Sequence, residues 1–235
     1  MLNWSSVLSY VKLTLGIPHG IIELSDSDLQ SHLINTALKD FSMYVPDVEY
    51  VAVDASDVNI QHPSKQNYYY LHDPENLPIY GIKQIFFKSG TDGHPLAGPT
   101  SLEDAKAWAL YVFKSRTLKQ FSNFNYTYKF EEPNLIRVLP SYSGVMAVEY
   151  EREQPSDLRK IPAYLNRLYM DLCLAETKLI LGAIRTNFGD GRVSTPFGEI
   201  PLNGAEMKTE GNELKREVID KLSDFSMPSV VVDIG

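Results

Sequence analysis

Helical periodicity sits at the two ends of this 235-residue chain and strand-like alternation between them, which confines it to folds that bring distant ends together. At the start, Trp4, Val7, Leu8, Val11 and Leu15 recur at helical spacing over 4–15 behind Asn3, a good N-cap, and Gly16 and Pro18 end the run. Ser25-Asp26-Ser27-Asp28 opens a second helix, with Ser27 and Gln30 at capping-box spacing. Leu29, Leu33, Ile34, Ala37, Leu38, Phe41, Tyr44 and Val45 form a stripe wide enough to touch more than one neighbour, and Pro46 stops it. Near the other end, Leu165, Leu168, Tyr169, Leu172, Ala175, Leu179 and Ala183 mark a helix over 162–185 with Pro162 in its first turn. A last helix, 204–225, carries Met207, Leu214, Val218, Leu222 and Phe225.

The middle reads differently. Segments 49–53, 67–71 and 80–87 are rich in β-branched and aromatic residues, and three more strands fall near 126–130, 135–139 and 145–151. The alternation from Val145 to Tyr150 suits an antiparallel strand buried on one face. Capping boxes Thr100–Glu103 and Ser101–Asp104 predict one helix among them, running to about Phe121, and a short β excursion follows around 194–202. Strand runs interrupting helices specify an α+β fold: a helical bundle from the N- and C-terminal helices (1–46 and 156–235) with an inserted β-rich lobe (47–155).

Charge excludes a broad polyanion binder. The chain has 22 Lys and Arg against 30 Asp and Glu, a net −8 and a pI near 5.1. Residues 1–75 hold ten acids and three bases, whereas 106–137 hold six bases and two acids; solvated surface is the simpler reading, and the other is an acidic end that meets a basic middle on a neighbouring copy. The same basic stretch is interleaved with aromatics, a mixture that also suits single-stranded nucleic acid; core and protein contact are the simpler reading. Cys173 stands alone between Leu172 and Leu174, so it makes no intrachain disulfide and reads as a packed thiol. With no basic n-region, long apolar h-region or membrane-length apolar run, the expectation is a soluble chain made in a cytoplasm, with no membrane partner.

Catalytic signatures are missing from the sequence. It contains no phosphate-cradling G-x-x-x-x-G-K-[ST] or G-x-G-x-x-G loop, no G-x-S-x-G, no H-E-x-x-H and no paired C-x-x-C. His62, His72 and His94, with Asp73, are the residues able to converge on a metal, but loop histidines scattered in this way are ordinarily surface groups. Glu131 and Glu132 adjoin and point to opposite faces of a strand, which suits a turn edge better than an acid/base couple. The expectation is no catalytic, cofactor or metal site. The tail Ser229–Ile234 has high β-propensity and little charge, so it is able either to add a strand to a partner's sheet edge or to complete a sheet of its own chain.

Two stretches together resemble the head–tail adaptor (neck, or connector) proteins of tailed bacteriophages. One runs from Leu8-x-x-Val11-x-x-x-Leu15-Gly16 through Asp28-Leu29-x-x-x-Leu33-Ile34-x-x-Ala37-Leu38-x-x-Phe41-Ser42-x-Tyr44-x-Pro46. The other runs from Ile161-Pro162 through Leu172-x-Leu174-Ala175-x-x-Lys178-x-x-Leu181-Gly182-x-Ile184-Arg185 into Ile200-Pro201-Leu202-Asn203-Gly204 and the last helix. The resemblance implies a structural virion protein that forms a homo-oligomeric ring, commonly of about twelve copies, at the capsid portal vertex. It implies contact with the portal protein and with stopper or tail proteins, passage of DNA without sequence-specific binding, and no cofactor. Partner contact falls to Pro228, Val230, Val231, Val232 and Ile234 of the tail, and the acidic N-terminal third faces a basic patch or the lumen. Two other classes stay open: another virion ring (stopper, tail terminator or baseplate component), and an enzyme with a site assembled from distant residues, whose sign would be a pocket gathering His62, His72, His94 or Cys173.

Overall fold

The computed structural model describes residues 2–16, 23–87, 127–142, 144–187, 192–195, 198–201 and 203–226. In chain order the elements are α1 (Trp4–Thr14), α2 (Asp26–Leu33), α3 (Lys39–Tyr44), β1 (Asp47–Asp54), β2 (Tyr68–Tyr70), β3 (Ile79–Phe87), β4 (Thr127–Glu131), β5 (Leu135–Leu139), β6 (Val145–Arg152), α4 (Asn166–Asn187), β7 (Arg192–Thr195), β8 (Gly198–Pro201) and α5 (Gly204–Ser226). Helices and antiparallel sheets make the chain α+β. Contacts divide it into two compact units, Met1–Val45 with Gln154–Gly235, and Pro46–Glu153. The helix expected over 100–121 lies outside the described residues.

The helical unit is built as its stripes dictate, with two local differences. Asn3 caps α1 by accepting from the Ser6 N–H, but α2 is capped by Ser25, which accepts from Asp28 N–H, and not by the Ser27–Gln30 box. Between α2 and α3 the chain widens into a π turn, Ile34–Leu38. The wider turn shifts the phase of the stripe, so that Leu29 and Leu33 before it and Ala37, Leu38 and Phe41 after it all reach one core. Leu165, Tyr169, Leu172, Val218 and Leu222 close that core from α4, the 3₁₀ turn before it (Ala163–Leu165), and α5. A polar clasp joins three helices: Lys215 Nζ on α5 lies 2.7 Å from both Asp40 of α3 and the buried Glu176 of α4.

Helices α4 and α5 meet through glycine. A β-carbon on Gly182 would stand 2.7 Å from the Gly204 carbonyl oxygen, and one on Gly204 would stand 2.7 Å from the Thr186 amide nitrogen. Backbone atoms occupy that space, so no side-chain rotation relieves the overlap. Gly182→Ala gains about 1 kcal/mol of helix propensity and loses about 3 kcal/mol to overpacking against backbone. The expected result is a net destabilisation of about 2 kcal/mol, read as a lower urea midpoint; an unchanged or higher midpoint would show that the helices part without cost.

In the other unit, β1-β6-β3 and β2-β5-β4 are two antiparallel three-stranded sheets. Val53, Tyr69, Ile85, Ile136, Val138, Met146, Val148 and Tyr150 from the two sheets share one core. β6, between two partners, is covered on both faces: Met146, Val148 and Tyr150 point into that core, while Ala147 packs with Phe86 and Tyr50 on the reverse side. The half-buried strand expected there from alternation is therefore a central one, and central position rather than pattern sets its burial.

Candidate functional site

Among the described residues, three places bear on binding or reactivity. The first is the outward face of β2-β5-β4. Antiparallel register sets Tyr68 opposite Arg137 and Arg137 opposite Lys129, one row across three strands, while Tyr69 and Ile136 point inward. The Tyr68 ring has Lys65 Nζ at 4.9 Å and the Arg137 guanidinium at 5.7 Å from its centroid, both within cation–π range. Its hydroxyl donates to Glu131 Oε1 at 3.0 Å, and Lys65 lies 3.6 Å and Lys129 4.0 Å from the same carboxylate. The Tyr68 hydroxyl, followed by those lysines, holds the Glu131 carboxyl below its ordinary range. Tyr70 completes the face, stacked between His62 (5.6 Å) and His72 (6.4 Å). Segment 60–62 reaches β2 through the bonds Tyr70 N–H to Ile60 O and His62 N–H to Tyr68 O, which fixes His62 beside the tyrosines.

The second cluster surrounds Arg152 at the end of β6. Its Nε donates to Asp47 at 3.0 Å and its Nη1 to Asp73 at 2.6 Å, with Glu49 and Glu75 at 3.7 and 3.4 Å from Nη2. Tyr150 also donates to Asp73 Oδ1, at 2.7 Å, and the other Asp73 oxygen takes the Glu75 and Leu77 N–H groups. Burial works to raise the Asp73 carboxyl, but these donors outweigh it and hold the group below its ordinary value. Burial and Asp73 push the Tyr150 hydroxyl up. These shifts take both groups away from neutral pH, so the cluster clamps the 73–77 loop to the sheet and offers no acid/base pair.

The third is Cys173, fully buried in the helical core, where burial pushes the thiol up and away from the nucleophilic thiolate. Cys173 belongs to the helical unit, and His62 and His72 to the β-containing one. His94 and the tail residues Pro228, Val230, Val231, Val232 and Ile234 lie outside the described residues. Among the described residues no group of His, Cys, Asp or Glu has the arrangement of a metal site, and no helix is long and apolar enough to cross a membrane.

Of the three, only the β2-β5-β4 face presents a row of charged side chains at the surface. Its sequence matches the bacteriophage ring protein family over residues 1–229. The chain belongs to that family. No curated protein matches this ring protein. Membership makes it a structural component of a phage particle whose working form is an oligomeric ring. The cationic and aromatic row of the ring protein was hidden in its sequence, because Tyr68, Lys129 and Arg137 become neighbours only through strand pairing. A partial signal was present: Tyr68-Tyr69-Tyr70 alternates, so two tyrosines had to face away from the core if Tyr69 faced it.

Proposed function

We propose that this ring protein is the head–tail adaptor of a phage neck, joining the portal to the tail and lining the DNA channel. The observation that carries the reading is the helical unit of a ring-family member, whose core draws on helices from both ends of the sequence in the pattern that resembles adaptors. The β-containing segment 47–155 is then a separately folded insertion facing capsid or fibres. The net charge of −8 suits a channel wall that DNA slides past, since like charge avoids adhesion to phosphate. No covalent chemistry is required of any residue.

In this reading Pro228–Gly235 docks on the portal by strand addition. The test is the native mass of the full chain alone and mixed with purified portal particles. An adaptor adds a ring of about a dozen subunits to the particle. A chain that never joins the portal overturns the reading, and a ring that joins tail-tube or baseplate components instead assigns it to another virion ring. Removal of 228–235 should leave the thermal midpoint unchanged and abolish portal docking; retained docking refutes the tail's role.

A further inference from the structure

The cationic face of β2-β5-β4 has a complement elsewhere on the same chain. Along α5, Glu206, Glu210, Glu213, Glu217, Asp220 and Asp224 follow one another at alternating intervals of four and three, and all are exposed. That rhythm places them on one stripe beside the inward seam of Met207, Gly211, Leu214, Val218 and Leu222. Glu210 is paired with Lys178 and Glu217 with Lys221. Glu206, Glu213, Asp220 and Asp224 have no ion-pair partner among the described residues.

We propose that in the assembled ring the acidic stripe of α5 from one copy lies across the Lys65–Arg137–Lys129 row of the next. The inference rests on the ring assembly of the family and is independent of where in the virion the ring sits. Spacing supports it. Successive carboxylates on such a stripe are about 5 Å apart along the helix axis. Cations on neighbouring strands are also about 5 Å apart across the sheet. A helix crossing the strands therefore sets Glu217 and Asp220 against Arg137 and Lys129, and Glu213 towards Lys65, which precedes β2 and lies over the Tyr68 ring. The contact is heterologous, one patch meeting a different patch on the neighbour, which is the kind of interface that closes a ring.

Nucleic acid is the lesser candidate for this face. The chain's net −8 repels a polyanion, and the tyrosine rings are engaged by Lys65, Arg137 and the two histidines, leaving no bare platform for bases.

The test uses two full-length variants, Lys129→Glu with Arg137→Glu, and Glu213→Lys with Asp220→Lys, all exposed positions. Sedimentation velocity follows self-association at low salt and rising concentration, where head-to-tail dimers form even if ring closure awaits the portal. The wild type should associate and be dissociated by salt. Each variant alone should associate at least about tenfold more weakly. An equimolar mixture should recover wild-type association, because the reversed face of one variant fits the reversed stripe of the other. A wild type that stays monomeric, a variant that associates normally alone, or a mixture that fails to recover overturns the proposal. Normal assembly of the Lys129→Glu, Arg137→Glu variant with lost retention on single-stranded DNA gives the face to nucleic acid and also overturns it. A wild type that associates as described but never binds portal refutes the neck reading alone.

Discussion

Replacing Arg152 with methionine should unfold the β-containing unit at much lower denaturant, at a cost of about 3–5 kcal/mol. Asp47, Glu49 and Asp73 are all buried around the guanidinium, and methionine takes from them the cation that donates to Asp47 and Asp73 in a poorly solvated place. Methionine keeps most of the packing volume, so the loss reports charge rather than a cavity. Urea unfolding followed by the tyrosines of this unit measures it; a loss below about 1 kcal/mol would mean that water reaches the cluster and screens it. The same cluster fixes the acid limit. Asp73 has a folded value below the ordinary 3.8, so its contribution is fully present above the unfolded value and is lost as pH falls through the lower folded one. Stability should therefore hold through mildly acidic solution and fall only in strong acid. Asp73→Asn should be less stable at neutral pH and show a flatter acid limb, and an equally steep limb would assign the titration to other carboxylates.

Phe41→Ala should destabilise the helical unit by a similar amount, about 3–5 kcal/mol. The ring is fully buried on α3 and meets Tyr169 of α4 edge-on, with centroids 5.2 Å apart and planes at 77°. Most of the loss is transfer and cavity; the aromatic contact itself accounts for about 0.5–1.5 kcal/mol. Phe41→Leu separates the two, since it retains apolar volume and should cost no more than about 1.5 kcal/mol. Helix content by circular dichroism against guanidinium gives both numbers, and equal losses in the two variants would show that the site collapses around the smaller side chain.

Among the described residues, the helices and most strands were legible because their signals are local. Asn3 as a cap, Pro46 as a stop and the long stripe over 162–185 each act through neighbours within a few residues, and the structure places α1, α3 and α4 accordingly. Ser25 displaced Ser27 as the cap of α2, a choice between two equivalent side chains that only backbone geometry decides. The π turn at Ile34–Leu38 was not legible: the sequence there reads as an uninterrupted stripe, and the extra residue in the turn is favoured only once both halves share one core. Gly182 and Gly204 gave no local signal either, since their role is to let one helix backbone approach another.

Charge shows the same division. Block sums over 1–75 and 106–137 suggested an acidic end and a basic middle. They hid the carboxylate stripe of α5, where Lys208, Lys215, Arg216 and Lys221 dilute the sum although Lys208 and Lys215 turn to the other flank. They also missed Arg152, whose carboxylate partners come from residues 47 to 75, far away along the chain. Among the described residues, helix and strand segments followed from the sequence alone, because propensity, capping and periodicity act over a few residues. Only the tertiary structure decided which strands are central, which glycines touch backbone and which charges become neighbours, because each of those depends on pairing between residues that the chain keeps apart.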